Sequence, residues 1–108
     1  MKKKVTINYF LNEELNPVVY YDRDSNKLEL YPLYIRIIYN RKTTRFRFYP
    51  NVHIEKNSDI HVFFRERNIA FLLEDKKRLI EKLIRYESEL LNEKFTLKGL
   101  GDRLKFYE

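Results

Sequence analysis

The sequence predicts an α+β fold, a three-stranded antiparallel sheet packed against a long C-terminal helix, and it allows a short second helix after that. Three observations carry this expectation: two alternating apolar/polar segments flank a tight turn, a third such segment stands near the N-terminus, and the second half holds a Leu-rich stretch of helical period. With 108 residues the chain is long enough for one domain with a core. No repeat, low-complexity tract or linker interrupts it, so residues 1–108 are expected to form a single unit.

The first strand is expected over Lys4 to Leu11. Val5, Ile7, Tyr9 and Leu11 fall on one side and Lys4, Thr6, Asn8 and Phe10 on the other. Asn12 to Leu30 carries Pro17, several Asp and Asn residues and a Ser-Asn pair. It reads as a long loop or irregular hairpin, with Val18 to Tyr21 extending the pairing locally. Alternation returns at Leu33 to Tyr39, with Leu33, Ile35, Ile37 and Tyr39 on one face and Tyr34, Arg36 and Ile38 on the other. Asn40-Arg41-Lys42 then reads as a tight turn. Thr43 to Tyr49 follows, with Thr44, Phe46 and Phe48 facing one way and Thr43, Arg45 and Arg47 the other. Asn40 tolerates the positive φ such turns demand, although Arg41 stands where a Gly is usual.

Pro50 to Asn68 has no clear period, and Val52, Ile54, Ile60, Val62 and Phe64 are expected to supply a short edge strand and satellite packing. Ile69 to Asn92 is the long helix. Leu72, Leu79, Leu83, Tyr86 and Leu90 recur at helical spacing, flanked by Leu73, Ile80, Ile84 and Leu91, a stripe wide enough to press onto a sheet or another helix. The second helix would take Thr96 as N-cap and bury Leu97, Leu100 and Leu104, although Gly99 and Gly101 each cost about 1 kcal/mol in a helix interior.

Composition narrows the function classes. Apolar residues make up 44% of the chain and charged ones 35%, which suits a folded protein with a charged exterior, and the 16% of aromatics suits pleated, half-buried surfaces. Cysteine is absent, which excludes disulfides and thiolate metal sites and makes the cytoplasm the expected location. No apolar run approaches the roughly 20 residues that span a bilayer. Met1-Lys2-Lys3-Lys4 is basic but lacks the apolar stretch of a signal peptide, so no membrane partner is expected.

The net charge of +6 is unevenly spread. Residues 1–50 hold ten Lys/Arg against five Asp/Glu, and residues 51–108 hold twelve against eleven. Between Tyr31 and Ile54 there are five cations and no acid, a one-sign patch that favours a polyanionic partner. If the aliphatic faces of the three strands turn toward the helix, the opposite face presents Lys4, Thr6, Asn8, Tyr34, Arg36, Thr43, Arg45 and Arg47, with Arg41 and Lys42 at the turn tip. Arg donates a bidentate pair to guanine and Asn to adenine, whereas Lys and Thr grip phosphates, so these ten residues are the expected contacts to double-stranded DNA. The ordinary alternative is a solvated sheet face on which basic side chains merely deter edge-to-edge association. Against it stands the lack of any Asp or Glu on those strands, since a solvated face usually mixes signs.

Leu33-Tyr34-Ile35-Arg36-Ile37-Ile38-Tyr39-Asn40-Arg41-Lys42-Thr43-Thr44, preceded by Thr6-Ile7-Asn8-Tyr9-Phe10-Leu11 and followed by a Leu-rich helix ending near Phe95-Thr96-Leu97, resembles the N-terminal arm-type DNA-binding domain of tyrosine recombinases. The resemblance covers most of the chain and is nearest to integrases of Bacteroides phages and conjugative transposons. It departs at Arg41 and over Pro50 to Asn68. It implies a three-stranded sheet that enters the major groove of arm sites, a role in DNA integration and recombination, and a bacterial, nucleoid-associated location. It also implies that the chain is an N-terminal fragment of a longer integrase whose catalytic parts follow, with further copies of the parent recombinase as conceivable partners. None of the nine Tyr is then assigned as nucleophile.

Other residues carry weaker signals. His53 and His61, eight apart and without Cys, are expected to be surface or loop histidines rather than a metal site. Glu74, Asp75, Glu87, Glu89 and Glu93 lie on a helix rich in Lys and Arg and read as a solvated face. No Gly-rich phosphate loop, Ser-His-Asp order or zinc spacing is present, so no catalytic residue, metal or cofactor is expected. The competing reading is a protein-interaction module using the apolar helix stripe and the basic sheet face. Binding of single-stranded RNA through Tyr34 and Phe10 is the third.

Overall fold

The computed structural model describes residues 4–48, 51–104 and 106. Met1 to Lys3, the expected strand end at Tyr49 and the start of the next segment at Pro50 lie outside them. The fold is α+β, but its antiparallel sheet has five strands rather than three: β1 (Val5–Leu11), β2 (Val18–Tyr21), β3 (Lys27–Tyr39), β4 (Lys42–Arg47) and β5 (His53–Glu55). Three α-helices follow, α1 (Ile60–Glu66), α2 (Phe71–Leu91) and α3 (Leu97–Leu104), with a 3-10 turn over Asn92–Lys94 before α3.

The organising element is β3, whose 13 residues pair with every other strand. Its second half lies between β1 and β4, and its first half pairs with β2 and β5. The segment expected as a long loop or irregular hairpin to Leu30 is therefore a second hairpin, in which Val18 to Tyr21 pair as expected. Its strands are joined by Asp22 to Asn26, where the Asp22 carboxylate accepts from the Asp24 and Asn26 amides at 2.9 Å and Ser25 takes φ 65°. Pro32 is tolerated inside the strand because it sits at the gap between β1 and β2, where its carbonyl accepts the Asn12 amide at 3.0 Å and no donor is required of it. A strand this long spans about 43 Å at about 3.3 Å per residue. It stretches the molecule to 55 × 27 × 24 Å, with a radius of gyration of 16.0 Å, against about 13 Å for a compact chain of this length.

The Asn40–Arg41 connection is a two-residue hairpin turn in which both residues are left-handed, φ 51° and 63°. That is the geometry of a type I′ turn, whose twist matches the flanking strands. The short edge strand and satellite packing expected of Val52, Ile54, Ile60, Val62 and Phe64 divide between a strand and a helix. Ile54 is buried in β5, whereas Ile60, Val62 and Phe64 lie on α1. The Asp59 side chain accepts the Val62 amide at 3.1 Å and starts a helix there, and Phe64 is buried on its inner side.

The long helix forms over nearly the expected residues, but it is not the last element. It is also rotated relative to the expected stripe. Leu73, Lys76, Ile80, Leu83, Ile84 and Glu87 are buried, while Tyr86 and Leu90 are exposed. Two charged residues thus occupy core-facing positions. Lys76 lies over the Phe48 ring, 5.3 Å from its centroid, and burial pushes its amine down to about 8. Glu87 accepts from Arg103 of α3 through both carboxylate oxygens, at 3.0 and 3.2 Å from Nε.

The core joins one sheet face to α2 and α3: Leu33, Ile35, Ile37 and Phe48 meet Ile80, Leu83, Ile84, Leu97, Leu100 and Leu104. The Tyr9 hydroxyl donates to the Leu73 carbonyl at 2.5 Å and ties β1 to the start of α2. Thr96 caps α3, its hydroxyl accepting the Gly99 amide at 3.0 Å. Both glycines of α3 serve packing: a Cβ on Gly101 would stand 3.1 Å from the Phe46 ring, and one on Gly99 only 2.6 Å from the Arg103 guanidinium.

Candidate nucleic-acid interface

The face of the sheet opposite the core is open. Registers of the three paired strands set its side chains in rows: Phe10–Tyr34–Arg47, Asn8–Arg36–Arg45 and Thr6–Ile38–Thr43. Asn8, Arg36, Thr43, Arg45 and Arg47 are exposed, while Thr6 and Tyr34 are half-buried. Lys4 is exposed and directly precedes β1 on the same alternation. Arg41 is exposed at the turn tip.

Lys42 does not join this face. It opens β4 in the same alternation as Thr44, Phe46 and Phe48, which puts it on the helix side. There it lines a half-open cleft with Val5, Tyr39, Glu81, Arg85 and Glu89. The structure thus gathers Lys4, Thr6, Asn8, Tyr34, Arg36, Thr43, Arg45 and Arg47 on one surface, keeps Arg41 at its end, and separates Lys42 from it.

Electrostatics on this surface work against folding. Arg36 and Arg45 stand directly opposite one another on adjacent strands, and like charges so placed destabilise a sheet. Arg47 lies 5.8 Å from the centroid of the Tyr34 ring, and that ring packs against Phe10 at 5.9 Å, so one row is an aromatic pair under a guanidinium.

Among the described residues an acid does reach the surface, from outside its strands. Glu14, in the loop between β1 and β2, accepts from the Arg45 guanidinium at 2.7 Å. Arg45 holds the Glu14 carboxyl below its usual range, and Glu14 raises the Arg45 guanidinium in turn, so both stay ionised near neutral pH. Sequence reasoning missed this residue, because a partner 31 positions away leaves no local signal.

His53 sits in β5 opposite Pro32, and His61 lies on α1 with its ring 6.5 Å from that of Tyr9. No group of three or more His, Cys, Asp or Glu side chains among the described residues is arranged to hold a metal ion. No helix among them is long and apolar enough to cross a membrane.

A sheet with one face sealed by helices and the other lined with guanidinium groups, of which Arg45 is paired with Glu14, belongs to the class of small binding modules for an anionic partner. A family model for the Arm DNA-binding domain matches residues 18–104, from β2 to the end of α3, and the chain belongs to that family, a non-catalytic DNA-binding module typical of integrase N-termini. DNA is accordingly its partner. The matched stretch begins after β1, the strand that supplies Thr6 and Asn8. No curated protein and no solved structure gave a significant match.

Proposed function

We propose that this domain binds duplex DNA sequence-specifically by laying the open face of β1, β3 and β4 into the major groove, and that it anchors a site-specific tyrosine recombinase to arm sites during DNA integration. The observation that carries this reading is the cross-strand group Arg36, Arg45 and Arg47 on the one sheet face that no helix covers. Three strands at about 4.8 Å spacing are about 10 Å across. That fits a B-form major groove about 12 Å wide. Asn8 in the same row as Arg36 and Arg45 supplies the side chain suited to adenine beside those suited to guanine, and Thr6, Thr43 and Lys4 suit phosphate oxygens. Lys42, on the other side of the sheet, is left out of the proposed contacts.

The test is selection from a random duplex library, followed by anisotropy titration of the enriched sequence across a salt series. An enriched motif, and a slope of log K against log salt between about −2 and −4, are expected. In that assay Arg36→Ala weakens the selected site by about 1–3 kcal/mol, and Lys4→Ala lowers the slope by about one with little change in sequence preference. Absence of both enrichment and salt dependence overturns the reading, as does a preference for single strands over duplex.

A further inference from the structure

We propose that Glu14 is a specificity-determining residue: its carboxylate positions Arg45 so that the guanidinium reads a guanine rather than a phosphate. The inference rests on the proposed use of the sheet face and adds a role for a loop outside the strands that form it.

An exposed carboxylate on a surface meant for a polyanion costs affinity for every DNA sequence, because it repels phosphates and cancels one cation. A position that only served electrostatic grip would gain from losing it. Yet Glu14 is held in place from two sides. Its carboxylate takes one donor of Arg45, and its backbone amide donates to the side chain of Asn12 at 3.1 Å. Asn12 is itself buried and anchored, its own amide donating to the Pro32 carbonyl at 3.0 Å. The loop therefore carries Glu14 to the sheet on a fixed turn.

The chemical consequence follows from donor geometry. A guanidinium has five N–H donors, and the bond to Glu14 uses a hydrogen of one terminal nitrogen. Whichever hydrogen that is, the remaining one still forms a parallel fork, with the other terminal nitrogen or with Nε–H, that matches guanine O6 and N7. Held in this way, Arg45 gives up little rotamer entropy on binding and is electrically neutralised as a unit with Glu14. It then contributes hydrogen-bond directionality rather than net charge.

The experiment compares wild type, Glu14→Gln and the charge-neutral double variant Glu14→Ala/Arg45→Ala by site selection and by titration against selected and scrambled duplexes at several salt concentrations. In Glu14→Gln, affinity for scrambled DNA is expected to rise while preference for guanine at one position falls by about tenfold. The double variant should lose the same preference with an unchanged salt slope, and adding Glu14→Gln to Arg45→Ala should not alter base preference further. A uniform gain of affinity on all sequences in Glu14→Gln, or no change at any position, overturns the proposal while leaving duplex binding by the sheet intact. If wild type itself shows no enriched site, the broader reading fails first and the distinction is plain.

Discussion

The two halves of β3 share one backbone and differ in nearly everything else. From Leu33 onward the strand lies on a helix layer, and Leu33, Ile35 and Ile37 are fully buried beneath the row of exposed or half-buried Tyr34, Arg36 and Ile38. From Lys27 to Leu30 it pairs with β2, all four of whose residues are exposed, Tyr20 by 55% and Tyr21 by 69%. Ladder hydrogen bonds hold both halves, but only the second has burial to fix its side chains in place. Directional contacts to an ordered partner need that rigidity, which is why the candidate interface sits on the second half.

The comparison can be broken most severely by emptying the core under one half. Ile35→Ala should destabilise the fold by about 3–4 kcal/mol, whereas Val19→Thr on β2 should stay within about 0.5 kcal/mol. Urea titration followed by circular dichroism measures both, and equal effects would refute the division. Next comes the tie between α2 and α3, which brings α3 onto Phe46 of β4. Arg103→Ala leaves the buried Glu87 carboxylate without this partner and should cost about 3 kcal/mol, at the low end for such a pair because the Arg103 side chain is 38% exposed.

A smaller effect sharpens the same boundary through pH. The Lys76 amine titrates at about 8 in the folded state against 10.5 when free. Between these values the unfolded chain binds more protons, so stability should rise as pH increases through that window. Lys76→Met should remove the rise and raise stability at pH 7 by about 1–3 kcal/mol, the lifted desolvation cost less the lost ring contact, which denaturation midpoints at pH 7, 9 and 10.5 would show. Smallest is the hairpin tip. Arg41 holds φ 63° without being glycine, so Arg41→Gly should raise stability by up to about 1 kcal/mol. The same change should lower the salt slope of DNA binding by about one if the tip meets a phosphate. Thermal unfolding and the titration series separate the two effects.

Legibility followed the range of each signal. β1, the second half of β3 and β4 were readable because each alternates with one buried face, and that same alternation named most of the residues on the open face. The first half of β3 was hidden by Pro32 and by the Asp and Asn residues of its turn, which resemble a loop until the pairing with β2 and β5 is known. In α1 the spacing of Ile60, Val62 and Phe64 mimics a strand, and the Asp59 cap decides for helix. Glu87 was misread as outward because a polarity pattern assigns charged residues to solvent, and for the same reason nothing in the pattern marks Lys76 as buried. Each is buried against a partner far along the chain, Arg103 and Phe48 respectively.

By itself the sequence determined the periodicities, the cationic excess of the first half and the side of each strand on which the guanidinium groups fall, since these depend only on neighbours a few residues apart. Tertiary structure alone decided the five-stranded pairing along β3, the rotation of α2, the exclusion of Lys42 from the open face and the arrival of Glu14 beside Arg45. Each of these depends on contacts between distant segments, whose free energy is set by packing and desolvation rather than by local pattern.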